Sequence, residues 1–180
     1  MTMEPSNELL SIPTEFIEIS GCFVRIEAAD ASGIALQRGH PHRPPARFNR
    51  CGEDALYLSP DAESAHVAIG GDVTCNDSPR VLARYKVARC KLVDLRSKNA
   101  AKLYELARCP WRTALESGED PPSWTAADIV RESGAVGLID PSRRRAKLWH
   151  VTLFRWNEPR APKVSLEGPP EQFAVTPGYR

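Results

Sequence analysis

The sequence predicts a domain of the α+β class. Apolar and polar side chains alternate in several short stretches, as they do in strands that bury one face. Helical stretches lie between them without the regular strand–helix–strand rhythm of a doubly wound sheet. Neither a GxGxxG nor a GxxxxGK[ST] motif occurs, so the two common phosphate loops of parallel α/β domains are absent.

The first half of the chain is predicted to hold two strands, a long loop and a helix. Phe16 to Ile26 alternates like a strand, with a break at Gly21. Turn-forming residues fill 30–46, which predicts a long loop of the kind that often carries function. A short strand, Ala55 to Leu58, precedes a helix over Ala62 to Ile69.

The second half is predicted to alternate strands and helices in the same irregular way. The expected strands are Tyr85 to Leu95, Val136 to Ile139 and Leu148 to Trp156. The expected helices are one capped by Ser97 and running to Ala107, and one opened by a capping box at Thr125 and running to Ser133. Between these helices, 109–123 is predicted to be a loop.

The predicted domain covers 14–157. Residues 1–13 are expected to be a frayed or disordered lead-in, and 158–180 a Pro/Gly-rich extension packed back through Phe173 and Val175.

The composition is that of a globular protein. The 180 residues are 42% hydrophobic and 26% charged, which is ordinary for one domain with its own core. With 24 basic and 23 acidic residues the net charge is +1, and so balanced a charge does not favour direct nucleic-acid binding. No apolar run reaches the roughly 18 residues of a membrane span, and the polar start does not resemble a signal peptide. We therefore expect a cytoplasmic protein.

The cysteines predict reduced thiols rather than a metal site. None forms a CxxC pair, so we expect no zinc and no other bound metal. An odd count without a signal peptide also argues against a disulfide framework. The five are Cys22, Cys51, Cys75, Cys90 and Cys109.

Four residues beside the predicted strands are candidates for a site. Arg25 lies in the first strand, Arg47 opens Arg47-Phe48-Asn49 before Tyr57, and Ser142 follows an Asp-Pro turn. Taken singly, each has an ordinary explanation as a solvated arginine, a half-buried aromatic or a turn serine. Their order along the chain is what sets them apart.

That order resembles the RES domain family, named after its Arg, Glu and Ser. The match extends from about Phe23 to Asn157. No single segment is specific, but five in this order are distinctive. They are Arg25-Ile26; Pro45-Ala46-Arg47-Phe48-Asn49 with Gly52 and Leu56-Tyr57; Asp94-Leu95; Thr125 to Arg143, including Gly134, Gly137 and Pro141-Ser142-Arg143; and Trp149 to Phe154.

The resemblance implies an ADP-ribosyltransferase-like fold with a mixed, mainly antiparallel sheet, and NAD⁺ as the ligand. Members of this family are typically toxins of bacterial toxin–antitoxin pairs, with an Xre-type helix-turn-helix antitoxin as partner. They cleave the nicotinamide–ribose bond of NAD⁺ as glycohydrolases or phosphorylases, or transfer ADP-ribose to a target. Whether the chain also forms a homo-oligomer stays open.

The resemblance also implies roles for the four residues. Arg25 and Arg47 are expected to hold the NAD⁺ pyrophosphate, because a guanidinium grips phosphate oxygens in bidentate fashion. Tyr57 is expected to stack on nicotinamide, and Ser142 to hydrogen-bond nicotinamide or its ribose. Arg47, Tyr57 and Ser142 are thus the expected catalytic residues. Cleavage develops positive charge on the ribose, so a carboxylate is also needed.

The family's catalytic glutamate has no counterpart at the expected place. Eleven residues past Tyr57 lies Ala68, and alignment on Ser59-Pro60 gives His66 instead. Pro45-Ala46 also replaces the family's paired glycines.

Several accounts of this departure stay open. His66 could act as a different catalytic group, although a lone histidine on a helix is more often structural. The protein could be an inactive module that binds a nucleotide or a protein partner, or a scaffold acting through 159–180. Arg143-Arg144-Arg145 could bind phosphate or an acidic partner, or form a solvated turn. Alternatively, a relocated acid could serve, and the candidates are Glu53, Asp61, Glu63 and Asp72.

Overall fold

The computed structural model of the chain describes residues 13–74 and 78–179. Within them, a seven-stranded sheet is flanked by four short α-helices, which confirms the α+β class. The strands are β1 (Ile17–Ala28), β2 (Leu56–Leu58), β3 (Arg80–Asp94), β4 (Gly137–Pro141), β5 (Trp149–Leu153), β6 (Val164–Leu166) and β7 (Glu171–Phe173). The helices are α1 (Ala62–Ile69), α2 (Ala101–Ala107), α3 (Trp111–Glu116) and α4 (Pro122–Glu132).

The long strand β3 organises the sheet, whose main order is β1-β3-β4-β5-β2. β1 runs antiparallel along most of one edge of β3, and the predicted break at Gly21 is a register shift between Ile19 and Gly21. The other edge of β3 is shared by β7, β6 and, in parallel, β4. The remaining pairs are antiparallel, so the predicted mixed, mainly antiparallel sheet is confirmed.

Two apolar clusters form most of the core. The first packs side chains of β1, β3 and β5 around Tyr85 and Trp156, both fully buried. The second packs α2 and α4 against the sheet, through Leu103 and Val130 on Leu138. Each fully buried large apolar side chain contributes about 1.5–3 kcal/mol to folding, so these clusters fix where the loops that border the sheet can lie.

The predicted C-terminal extension supplies strands to the same sheet. Both β6 and β7 lie within 158–180 and pair with β3. Phe173 and Val175 pack onto the cluster that contains Val24 and Leu82. Asn157 stabilises the turn that leads into β6. Its side-chain amide donates to the Val164 carbonyl and accepts the Val164 N–H.

The sequence prediction between α2 and β4 is wrong in two places. Residues 109–123, predicted as a loop, contain the short helix α3. The predicted capping box at Thr125 is absent because α4 has already begun at Pro122, a residue type well suited to a first helical position. Asp128, expected to complete that box, instead forms an ion pair with Arg50 at 2.9 Å.

No helix in the described ranges is both long and apolar enough to cross a membrane. Four thiols of the described residues are free. Cys90 is buried, but Cys22 and Cys51 are exposed, so they are not the small buried hydrophobes that cysteines usually are. Cys75 lies outside the described residues, as do 1–12 of the predicted lead-in.

Gly137→Ala is expected to destabilise the fold by about 3 kcal/mol. A Cβ at this position would lie 2.1 Å from the Thr152 carbonyl oxygen and 2.9 Å from the Leu153 Cα, and overpacking of this kind costs about 1–3 kcal/mol. Gly168→Ala is the control, since its φ of +72° is strained but nothing crowds the added Cβ. Urea unfolding should show a loss of only about 1 kcal/mol for the control. Equal losses would contradict a close approach of β4 to β5.

Candidate functional site

A cleft of about 770 Å³ opens between β1, β2, α1, α3 and the turn that follows β4. Its size falls in the range of small-molecule sites, about 300–1,000 Å³. Arg25, Arg47, Tyr57 and Ser142 all line it. They meet because a bridge joins β1 to the end of β2, while β2 and β4 both pair with β5.

Arg47 is 9% exposed and is held by the protein at three of its donors. Its Nη1 donates to the Asp140 carboxylate at 2.5 Å. Its Nε and Nη2 both donate to the Ala107 carbonyl, at 3.0 and 2.9 Å. A guanidinium has five N–H donors, so two are left for a ligand. Arg47 therefore ties α2 and β4 to its loop, and only part of it is free to grip phosphate.

Tyr57 uses its hydroxyl to hold the same loop. The phenol donates to Asn49 Oδ1 at 2.8 Å and accepts the Phe48 N–H at 2.9 Å. Burial raises its pKa well above the ordinary value for tyrosine, so the phenol stays neutral at physiological pH. With the hydroxyl engaged on both sides, the ring face is the part of Tyr57 available to a ligand.

Ser142 closes the turn after β4. Its Oγ accepts the N–H groups of Arg144 and Arg145 at 3.3 and 3.2 Å. These bonds occupy the acceptor side of the hydroxyl, so its proton is available for donation into the cleft.

The arginines of this turn have partners on the protein, although Arg143 and Arg144 remain exposed. Arg144 donates to the Val67 carbonyl at 3.0 Å, near the negative end of α1. Arg145 is paired with Glu63. Partial burial, with the nearby Arg47 charge, lowers the pKa of Arg143 to about 10, so this side chain remains a cation at pH 7. Arg144 is thus anchored on α1 while its turn stays exposed to solvent.

Arg25 lies between β1 and β2. Its Nη1 donates to the Tyr57 carbonyl at 3.0 Å, and its Nε lies 3.5 Å from the Glu27 carboxylate. Glu27 is buried and also accepts the Tyr85 hydroxyl at 3.0 Å. The Tyr57 carbonyl and the Glu27 carboxylate thus orient the Arg25 side chain, about a third of which is exposed.

The two positions considered for the family's glutamate face opposite ways. Ala68 is exposed and lines the cleft. The His66 ring stacks on Tyr179 with centroids 3.9 Å apart, and its Nε2 accepts the Thr176 N–H. Burial, aided by the Arg145 charge, lowers the pKa of His66. His66 is thus a structural contact for the C-terminal segment and lies outside the cleft lining.

Of the four acids considered as substitutes, Asp72 lines the cleft. It lies four residues beyond Ala68, just past the end of α1, and contacts Arg112 at 2.8 Å and Arg144 at 3.7 Å. The other three are engaged elsewhere. Glu53 pairs with Arg50, Asp61 caps α1 through the Ser64 N–H, and Glu63 pairs with Arg145.

The sequence prediction missed Asp140 and His150, which also line the cleft. They are register partners on β4 and β5. Asp140 is 2% exposed, yet it looks like an ordinary turn residue because proline follows it. His150 Nδ1 lies 3.0 Å from Ser59 Oγ, and burial lowers its pKa. The alternation of β5 could have pointed to His150.

The cleft is strongly cationic. Six arginines and two aspartates line it, a formal charge of +4 in a chain whose net charge is +1. Low-dielectric walls lined with one sign of charge concentrate ligands of the opposite sign. The arginines are Arg25, Arg47, Arg80, Arg112, Arg143 and Arg144.

Comparison with known proteins supports the family resemblance that the order of the sequence segments indicated. The family model described as the RES domain matches residues 23–176. No curated protein sequence matches the chain. The fold is similar to a chain in the crystal structure of the M. tuberculosis MbcT–MbcA toxin–antitoxin complex, with a TM-score of 0.60 and 15% identity over 89% of this chain and 87% of the other.

Asp140→Ala is expected to cost about 3–5 kcal/mol of unfolding free energy, because it leaves the Arg47 charge buried and unpaired. Arg47→Met in the same chain removes that charge and should recover much of the loss. The wild type, the two single variants Asp140→Ala and Arg47→Met, and the double variant form a double-mutant cycle, in which the unfolding free energies are measured with urea. Single effects that add within about 0.5 kcal/mol would mean that the two residues are not coupled.

Proposed function

The chain belongs to the RES domain family, and we propose that it binds NAD⁺ in the cationic cleft and cleaves the nicotinamide–ribose bond. The observation that carries the proposal is the charge of the cleft, with six arginines against two aspartates in a nearly neutral protein. A dinucleotide carries its negative charge on a diphosphate, and guanidinium groups bind phosphate oxygens with paired, charge-assisted hydrogen bonds.

Aromatic surfaces in the cleft suit the nicotinamide end of the ligand. The ring of Tyr57 is held from its hydroxyl end, so it stacks without losing conformational freedom. Trp111 also lines the cleft, with the Arg112 guanidinium 4.4 Å from its ring centroid. Ser142 contributes a hydroxyl proton for the carboxamide or a ribose oxygen.

The acid that stabilises the reacting ribose is Asp72 in this proposal. As the bond to nicotinamide breaks, its electron pair leaves with nicotinamide and positive charge develops on the ribose, where a carboxylate stabilises it. Water, phosphate or a protein nucleophile then bonds to the same ribose carbon. Asp72 lines the cleft from the turn after α1, four residues beyond Ala68, whereas Asp140 is nearly inaccessible and already paired with Arg47.

The proposal extends to the biological role. Similarity to a chain of a toxin–antitoxin complex supports a toxin that depletes NAD⁺ and is neutralised by an antitoxin. The family resemblance favours a partner of the Xre helix-turn-helix type. An enzyme that consumes a common coenzyme would require such a partner in its own cell.

A second candidate function is nucleotide binding without turnover. Ala68 favours it, because counting eleven residues past Tyr57 assigns the family's glutamate to this position, and Ala68 lines the cleft with a methyl group only. In this case the arginines would still hold a diphosphate.

Purified protein incubated with NAD⁺ is expected to release nicotinamide. Arg25→Met should lower kcat/KM about 10- to 100-fold, because a charge-assisted contact is worth about 1.5–3 kcal/mol. Arg89→Met is the matched control, since Arg89 is 81% exposed and remote from the cleft lining. Calorimetric NAD⁺ binding without nicotinamide release, with or without phosphate, would select the binding function. Absence of both would overturn the proposal.

Asp72→Asn is expected to lower kcat about 100-fold while KM changes less than threefold, because the carboxylate acts on charge that develops in the transition state. Ala68→Glu added to Asp72→Asn should restore much of the activity. Glu63→Gln is the control, because Glu63 lies on α1 with Ala68 but does not line the cleft. An unchanged kcat for Asp72→Asn would exclude this residue as the acid.

A further inference from the structure

A second cavity adjoins the cleft and shares part of its wall. It has a volume of about 320 Å³ and lies between β1 and the long loop that precedes Arg47. Four residues line both spaces, namely Arg25, Ile26, Ile69 and Arg80. The two cavities are therefore neighbouring parts of one groove, with two guanidinium groups on the wall that they share.

Arg80 differs from the other arginines of the cleft. The other five each donate to a carbonyl or carboxylate of the protein, as Arg112 does to Asp72 and Arg144 to the Val67 carbonyl. In the described ranges, neither a hydrogen bond nor an ion pair engages the Arg80 guanidinium, and its buried Nε has no partner. A half-buried guanidinium in this state carries a desolvation cost that an anionic ligand would relieve.

We infer that the groove holds the two nucleoside halves of a dinucleotide in separate cavities, with the diphosphate at the shared wall against Arg80 and Arg25. This inference rests on the proposed function and extends it to Arg80, a residue outside the five segments that carry the family resemblance. The diphosphate is the central part of a dinucleotide and carries its negative charge. The shared guanidinium groups stand at the corresponding place in the groove.

The second cavity suits the nucleoside remote from the reaction. Its wall combines apolar side chains with polar groups, including Ala31, Ile34, Gln37, His40 and His42. Apolar surface packs on the face of a base, and the polar groups are available to its edge. Tyr57, Ser142 and Asp72 line the first cavity only, so the nicotinamide ribose belongs there and the adenosine half in the second cavity.

Binding of ADP-ribose and of nicotinamide riboside distinguishes the role of Arg80. ADP-ribose contains the diphosphate and adenosine but no nicotinamide bond to cleave, whereas the riboside contains neither a phosphate nor adenosine. By calorimetry, Arg80→Met should weaken ADP-ribose binding about 10- to 100-fold and change riboside binding less than twofold. Arg80→Lys should recover part of the loss. Arg89→Met, on the same strand, is the control for net charge.

A variant that fills the second cavity tests the other half of the inference. Ala31→Trp should weaken ADP-ribose binding at least tenfold and leave riboside binding unaffected. Retained riboside binding also shows that each variant is folded. Equal losses for both probes in Arg80→Met, or no loss of ADP-ribose binding in either variant, would overturn the inference while the proposed function stands. If wild-type protein bound neither NAD⁺ nor ADP-ribose, both proposals would fall together.

Discussion

The guanidinium of Arg47 joins three parts of the chain that are distant in sequence. It lies on a loop, yet it donates to the last residue of α2, Ala107, and to Asp140 on β4. A charge that is 9% exposed requires such partners, and meeting this requirement fixes where the loop and the helix can lie. The cleft is the space left between parts whose positions this contact determines.

Further bonds hold the backbone on either side of Arg47. The carbonyl of Arg47 accepts the Ser123 hydroxyl, the Ala46 carbonyl accepts the Trp124 indole at 2.8 Å, and the Phe48 carbonyl accepts Arg131 at 3.0 Å. All three donors lie on α4. The segment around Arg47 is thus held by side-chain donors from α4 as well as by its own Ala46–Asn49 bridge. Preorganisation of this kind lowers the entropic cost of binding a ligand.

Much of this architecture could be predicted from local patterns. Alternation located β1 and its break at Gly21, and the signal before Ala62 predicted α1, whose N-cap is Asp61. The four candidate residues were identified by their order along the chain, which resembles that of the RES family, and all four line the cleft. Local patterns do not predict a residue's role where contacts between distant parts of the chain determine that role. Asp140 is a site residue because Arg47, 93 positions away, pairs with it, and no local spacing encodes that contact. The helix α3 was missed because the prolines and glycine around it are typical of loops.

The division of the β3 edge among three later segments has a consequence during synthesis. β6 and β7 are made long after β3, so one side of this 15-residue strand has no partner while the intervening chain emerges. An unpaired strand edge is a template for aggregation. The strand carries its own protection, since basic residues interrupt its apolar sequence and same-charge strands repel one another. These are Arg80, Arg84, Lys86, Arg89 and Lys91. These basic residues, of which Lys86, Arg89 and Lys91 are exposed in the native protein, thus act as gatekeepers until the last strands are made.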